Sequence, residues 1–242
     1  MPLAAVSFDI EIDNFAVVTH RVAAERVRRH LPQQYDLETF YDNGSEYAFV
    51  SATCFCNRDF RWAAIGHPRH TFNETTYRTY VTYKGDKGVY FFGRYLGTRA
   101  ATIGQRITSR DAWHADFEID VEADADGFDA YVCKVSSEAG ETSFALQARD
   151  APAAKGPFAT GEEHAQFLTY RLHGYFTSSL GFQAEGLVDH PRTQPFEGTL
   201  RSAYLGLWDK LGFLSPEEMG EPFSVLAIPR VPFRLRWPVP LP

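Results

Sequence analysis

Along most of the chain, apolar and polar residues alternate with the two-residue period of a strand, and aromatic and β-branched side chains are punctuated by Gly, Asp and Asn. The pattern is clearest over residues 47–55, 75–83, 89–96, 128–136 and 143–149, and it returns over 115–121, 170–176 and 183–189. The segment Lys84-Gly85-Asp86-Lys87-Gly88 offers two glycines for positive φ, which predicts a β-hairpin between 75–83 and 89–96. Helices are few. Over 23–31, Ala23, Val27, His30 and Leu31 follow i, i+4, i+7, i+8, and Pro32 ends the run. After the hairpin, Thr98 is a helix cap for a face made of Ala100, Ile103, Gly104 and Ile107, with Arg99, Arg106 and Arg110 elsewhere; Gly104 predicts close packing on the sheet. Residues 151–161 read as a loop, and Thr160 with Glu163 forms a capping box for a short helix through Leu168. From Pro229 the chain carries Pro232, Pro238, Pro240 and Pro242, which predicts an extended edge or surface strap. Sheet should exceed helix, in one domain spanning 1–242.

Composition narrows the functions. The 242 residues carry 24 Lys and Arg against 31 Asp and Glu, a formal charge of −7, so no overall field attracts nucleic acid or an anionic membrane. No basic leader precedes an apolar run, and no stretch is long enough to span a bilayer, so a cytoplasmic protein is expected. The three cysteines, Cys54, Cys56 and Cys133, fit a reducing compartment without a disulfide framework.

The richest chemistry lies in Asn73-Glu74-Thr75-Thr76-Tyr77-Arg78-Thr79-Tyr80-Val81, where a strand puts Glu74, Thr76, Arg78 and Tyr80 on one face. Inside a pocket, Glu74 could exchange protons and Arg78 could hold a carboxylate; on a solvated face the two would simply form an ion pair. Cys54-x-Cys56 with His67 and His70 offers zinc-type donors, but C-x-C is not the usual spacing, and reduced core cysteines are the better account; no metal is expected. Arg171, His173 and Tyr175 share a strand face that lines a pocket or meets solvent, and His190-Pro191 is a rim residue or a turn. No nucleotide-binding glycine pattern is present, so no cofactor is expected.

Several short motifs in order carry a family resemblance over nearly the whole chain: Arg21 to Leu31 with Pro32, Tyr77-Arg78-Thr79-Tyr80-Val81, Gly88-Val89-Tyr90-Phe91-Phe92, Trp113-His114, Phe167-Leu168-Thr169 and His190-Pro191. Together they resemble the DUF2071 family of the acetoacetate decarboxylase-like superfamily. The resemblance implies an α+β fold, mostly antiparallel β, with curved sheets forming a cone-like barrel around a pocket and few flanking helices. In the superfamily's decarboxylases a glutamate opens the strand before the hairpin, and a lysine pair follows the next helix; the first lysine forms a Schiff base with a β-keto acid. Glu74 matches that glutamate in position, and Arg106 resembles an arginine of that helix. The lysine pair, however, falls on Trp113 and His114. The lysines of this chain are Lys84, Lys87, Lys134, Lys155 and Lys210, none of them on that segment, and a Schiff-base amine must be desolvated or beside another cation.

Two functions remain. One is a cofactor-free enzyme of lyase or isomerase type acting on a small carbonyl or carboxylate compound, with Glu74 and His114 as acid and base and Arg78, Tyr80, Arg106 and Trp113 against the substrate. The other is a non-catalytic small-molecule binder on the same fold; either leaves a homo-oligomer open. A polar cavity with Glu74 bonded to His114 or Arg78 would favour the enzyme. A broad apolar cavity with Glu74 merely ion-paired would favour the binder.

Overall fold

In the computed structural model, residues 6–241 are described. In chain order the elements are β1 (Ser7–Ala23), α1 (Ala24–Arg28), β2 (Asp36–Leu37), β3 (Thr39–Asp42), β4 (Ser45–Trp62), β5 (Arg69–Tyr83), β6 (Asp86–Leu96), α2 (Arg99–Thr108) and β7 (Ala112–Asp124). There follow β8 (Gly127–Ser137), β9 (Gly140–Asp150), α3 (Gly161–Thr169), β10 (His173–Thr177), β11 (Gln183–Asp189), β12 (Phe196–Leu205), α4 (Gly206–Lys210), β13 (Ser224–Arg236) and β14 (Val239–Pro240). The fold is thus α+β, and all the strands join one large, mostly antiparallel sheet; the parallel pairs β6–β7 and β6–β10 flank a single strand. Among the described residues no helix is long and apolar enough to cross a membrane.

The pairings close this sheet on itself twice. Strands β13, β1, β4, β5 and β6 form a shared wall, pairing in that order. From β6 the sheet returns to β13 through β7, β8, β9 and β12, making one ring. It also returns through β10 and β11, making a second and smaller ring. Successive residues of a strand face opposite sides, so the shared wall presents one face to each ring. The first ring is filled by Tyr77, Tyr95, Tyr131, Phe144 and Trp208, all fully buried. The second retains open space.

Two features of the hairpin and the tail differ from the sequence reading. Strands β5 and β6 do pair as a hairpin, but the turn is only Lys84-Gly85, with φ of 50° and 95°. Gly88 is already in β6, opposite His173 of β10, where an added Cβ would lie 2.5 Å from the His173 carbonyl oxygen. Its role is close strand approach, not the turn. The tail from Pro229 is no strap: Pro229 and Pro232 lie in β13, an inner strand of both rings, and of the tail's two strands only β14 is at an edge; Pro242 lies outside the described residues. Pro232 stands opposite Glu11, and Pro229 lies opposite a β1 bulge at Asn14, whose φ is 53°.

The helix signals locate elements better than faces. Thr98 caps α2 by accepting a hydrogen bond from the Ala101 amide (3.2 Å), and Thr160 caps α3 through the Glu163 amide (3.1 Å). The segment 23–31 forms only α1 and a turn, because β1 runs to Ala23. In α2, Ile103 is exposed, and no atom lies within 4 Å of where a Gly104 Cβ would stand. The expected packing of Gly104 on the sheet is therefore absent; α2 lies over the opening of the second ring.

Candidate functional site

The space within the second ring is a cavity of about 440 Å3. Its walls are the cavity faces of β1, β4, β5, β6, β10, β11 and β13, and α2 contributes the small residues Ala100, Ala101 and Gly104. Much of the lining is apolar, including Ile10, Ile12, Phe15, Phe55, Phe91 and Phe176. Polar groups concentrate on the shared wall as Asn57, Glu74, Thr76, Arg78 and Arg94.

Glu74 and Arg78 reach this wall through the two-residue period of β5. Arg94 arrives by another route. Tyr77 pairs with Gly93 and Arg78 with Phe91, so Phe92 is an extra residue, a β-bulge in β6. Phe92 packs in the first-ring core, and a Cβ on Gly93 would meet Leu207 and Trp113 on that same side. With both turned away, the alternation resets, and Phe91, Arg94 and Leu96 all face the cavity.

The Glu74 carboxylate is buried among these groups. Its Oε2 accepts a hydrogen bond from Asn57 Nδ2 (2.9 Å), and its Oε1 lies 3.9 Å from Arg94 Nη1, an ion pair without a direct hydrogen bond. Burial raises the Glu74 pKa, and the opposing effects of Arg94 and the Asn57 hydrogen bond do not offset it. Burial likewise lowers that of Arg94, against the attraction of Glu74. The Arg94 guanidinium lies over the Phe91 ring, 4.0 Å from its centre, and its Nε is buried without an acceptor. Arg78 donates from Nη2 to the Leu168 carbonyl (2.9 Å), and its Nε too is buried without an acceptor.

The other sequence candidates are not brought together here. Tyr80 shares the face of Arg78 but lies beyond the cavity, its hydroxyl packed against Ser51 Oγ (2.8 Å) and the Leu168 carbonyl (3.2 Å). Arg106 turns outward, donating to the Ala112 carbonyl (2.8 Å) and to Glu138 (3.1 Å). Trp113 lies on the first-ring side, with its ring 5.9 Å from that of Tyr95. His114 stands opposite Leu96 in the parallel β6–β7 ladder; it is not in the cavity wall, and Glu74 pairs with Arg94 instead. Continuity with a family motif gave these residues a place along the chain, but pairing and bulges decide which surface they reach.

The weaker constellations also separate. Arg171 forms a buried ion pair with Glu38 (2.8 Å), and His173 bonds Glu185 (2.7 Å). The intervening Gly174 and the later Phe176 line the cavity, so the face carrying Arg171, His173 and Tyr175 is the opposite one. His190 stacks on Phe233 (4.3 Å) in a surface groove adjoining the ring. Cys54 and Cys133 meet in the first-ring core, whereas His70 lies at the cavity and His67 is exposed. Among the described residues no group of three or more His, Cys, Asp or Glu side chains is placed to hold a metal ion.

Comparison with known proteins fits this architecture. The DUF2071 family model, described as an uncharacterized conserved protein, matches residues 9–231. The Uncharacterized protein YqjF of Bacillus subtilis (strain 168) is 27% identical over 167 residues, which is 68% of this chain and 65% of that protein, so the match spans just under two thirds of its length. The acetoacetate decarboxylase of Legionella pneumophila superposes with a TM-score of 0.67 at 12% identity, covering 97% of this chain and 87% of that one. The enduracididine biosynthesis enzyme MppR complexed with pyruvate gives 0.64 at 13%, covering 98% and 90%. An acetoacetate decarboxylase-like enzyme from Sphingomonas wittichii RW1 gives 0.59 at 12%, covering 97% and 92%. At these identities the structural likeness shows the fold: acetoacetate decarboxylase-like.

Proposed function

The chain belongs to the DUF2071 family, and from that premise we propose that its second ring is a non-covalent binding site for a small organic molecule. The observation that carries this reading is the setting of Glu74, ion-paired to Arg94 and bonded to Asn57 in a broad and largely apolar cavity. Such pockets bind through enclosed apolar area and take their orientation from a few fixed polar groups. None of the five lysines lines the cavity, which supports binding without a Schiff base. An environment-sensitive anilinonaphthalene dye should bind to the protein with enhanced emission, and Ala101→Trp, which fills the cavity, should abolish that binding without lowering the melting temperature. Unchanged dye binding by the filled variant would refute the site.

A second reading, a cofactor-free acid–base enzyme, is supported by the raised pKa of Glu74: such a carboxylate is a stronger base than an ordinary one and can take a proton from the carbon beside a bound carbonyl and return one to it. The fold neighbours include an enzyme captured with pyruvate. Under this reading the protein should exchange the methyl protons of pyruvate for deuterium in heavy water, and Glu74→Gln should slow the exchange by about 100-fold or more. Exchange no faster than in buffer would leave binding as the function.

A further inference from the structure

The cavity is lined by two guanidinium groups whose Nε atoms have no acceptor. Arg78 is 9% exposed, its one hydrogen-bond acceptor is a main-chain carbonyl, and among the described residues no carboxylate pairs with it. A buried cation without a counter-charge is costly, and so is a buried N–H without an acceptor. The Nε of Arg94 is in the same condition, and its one carboxylate neighbour is 3.9 Å away. The two are close: Arg94 pairs across the ladder with Thr76, and Arg78 stands two residues farther along that face, roughly 7 Å on. Among the described residues Glu74 is the only acidic one in the lining, against three arginines, in a chain whose net charge is −7. The wall is locally cationic in an acidic protein, a setting suited to an anionic group with acceptor oxygens.

The rest of the space sets the remainder of the ligand. About 440 Å3 is room for roughly 15 liquid waters. A two- or three-carbon acid would fill only a corner of it and leave Ile10, Ile12, Phe15, Phe55 and Phe176 facing water. We infer that the cavity takes an amphipathic monocarboxylate, its carboxylate against Arg78 and Arg94 and an apolar body of roughly a dozen non-hydrogen atoms against the Ile and Phe wall. This rests on the proposed binding site and specifies its ligand class. A carboxylate suits the site better than a dianion, because one negative charge beside Glu74 balances the two buried guanidiniums.

Calorimetric titration of the full chain with acetate, hexanoate, octanoate, decanoate and hexadecanoate tests the inference, with 1-octanol and octylamine as uncharged and cationic counterparts. Affinity should rise about four-fold per methylene from hexanoate to decanoate and fall at hexadecanoate, which exceeds the space. Octanoate should bind at least 10-fold more tightly than octanol, and octylamine should not bind. Arg78→Gln and Arg94→Gln should each weaken octanoate about 10-fold or more and leave octanol within two-fold. Equal binding of octanol and octanoate, or of acetate and octanoate, overturns the ligand class; these comparisons use the unmodified protein, so they stand if either variant fails to fold. If the dye binds the cavity but no acid displaces it, the inference fails and the binding site stands. If the dye does not bind and no acid binds, both fail.

Discussion

Glu74 and Arg94 both lose solvation on folding, and burial outweighs their mutual attraction in each. The consequence for pH has a definite sign. The folded protein holds the Glu74 proton above the ordinary glutamate value of 4.5, where the unfolded chain has released it, so this group's contribution is fully present below that value. It is lost as pH rises toward the folded pKa. Compared with Glu74→Gln, the unmodified protein should therefore lose relative stability on going from pH 4.5 to neutrality, as read by paired urea denaturation at several pH values. A gap between the two proteins that stays constant or runs the other way would contradict the buried, protonatable Glu74. At this scale the wall was half legible. Glu74 and Arg78 follow from strand period alone, whereas Arg94 needs the Phe92 bulge, which reverses the phase that simple alternation gives. The signal was Gly93 inside an otherwise apolar strand, since a glycine in a strand interior often marks a bulge.

Elements were legible where local chemistry specifies them and obscure where pairing does. The caps of α2 and α3 are side-chain to backbone contacts within four residues, so Thr98 and Thr160 announce them. Replacing Thr160 by Ala should cost about 1 kcal/mol in chemical denaturation. Strand β1 escaped notice because its register slips at Asp9/Glu11 and Asp13/Ala16. Ile10 and Ile12 face the same side as Phe15 and Val17, and across such a slip neither period-two template fits. The close passage of β6 beside β10 is also invisible in sequence, since it joins the hairpin to a strand far along the chain. It makes Gly88→Ala a sharp test: the new methyl would meet the His173 carbonyl oxygen at 2.5 Å, and stability should fall by about 1–3 kcal/mol. A variant as stable as the parent would mean that the two strands do not approach so closely.

For the whole molecule, the shared wall separates a filled ring from an open one, and the second keeps its space partly because α2 presents small residues to it. Gly104 is helical, with open space where its side chain would be. Gly104→Leu should therefore raise stability by about 1 kcal/mol through helix propensity alone, with further gain from burial, while removing room for ligand. Thermal melts and dye titration on that variant should move in opposite directions, and a loss of stability would show that the helix does not lie over an open space. The double closure was not legible at all, because strand patterns give faces but not partners. It also bears on how the protein comes into being. Ser7 pairs with Arg236, so the ladder that completes both rings joins the earliest described strand to one of the latest. During synthesis β1 must wait, one edge unpaired, until β13 has been made. Closing so long a loop is slow, and an apolar strand left without its neighbour is a template for wrong partners. The geometry that builds a sheltered chamber thus leaves the nascent polypeptide open to misassembly until β13 emerges and pairs.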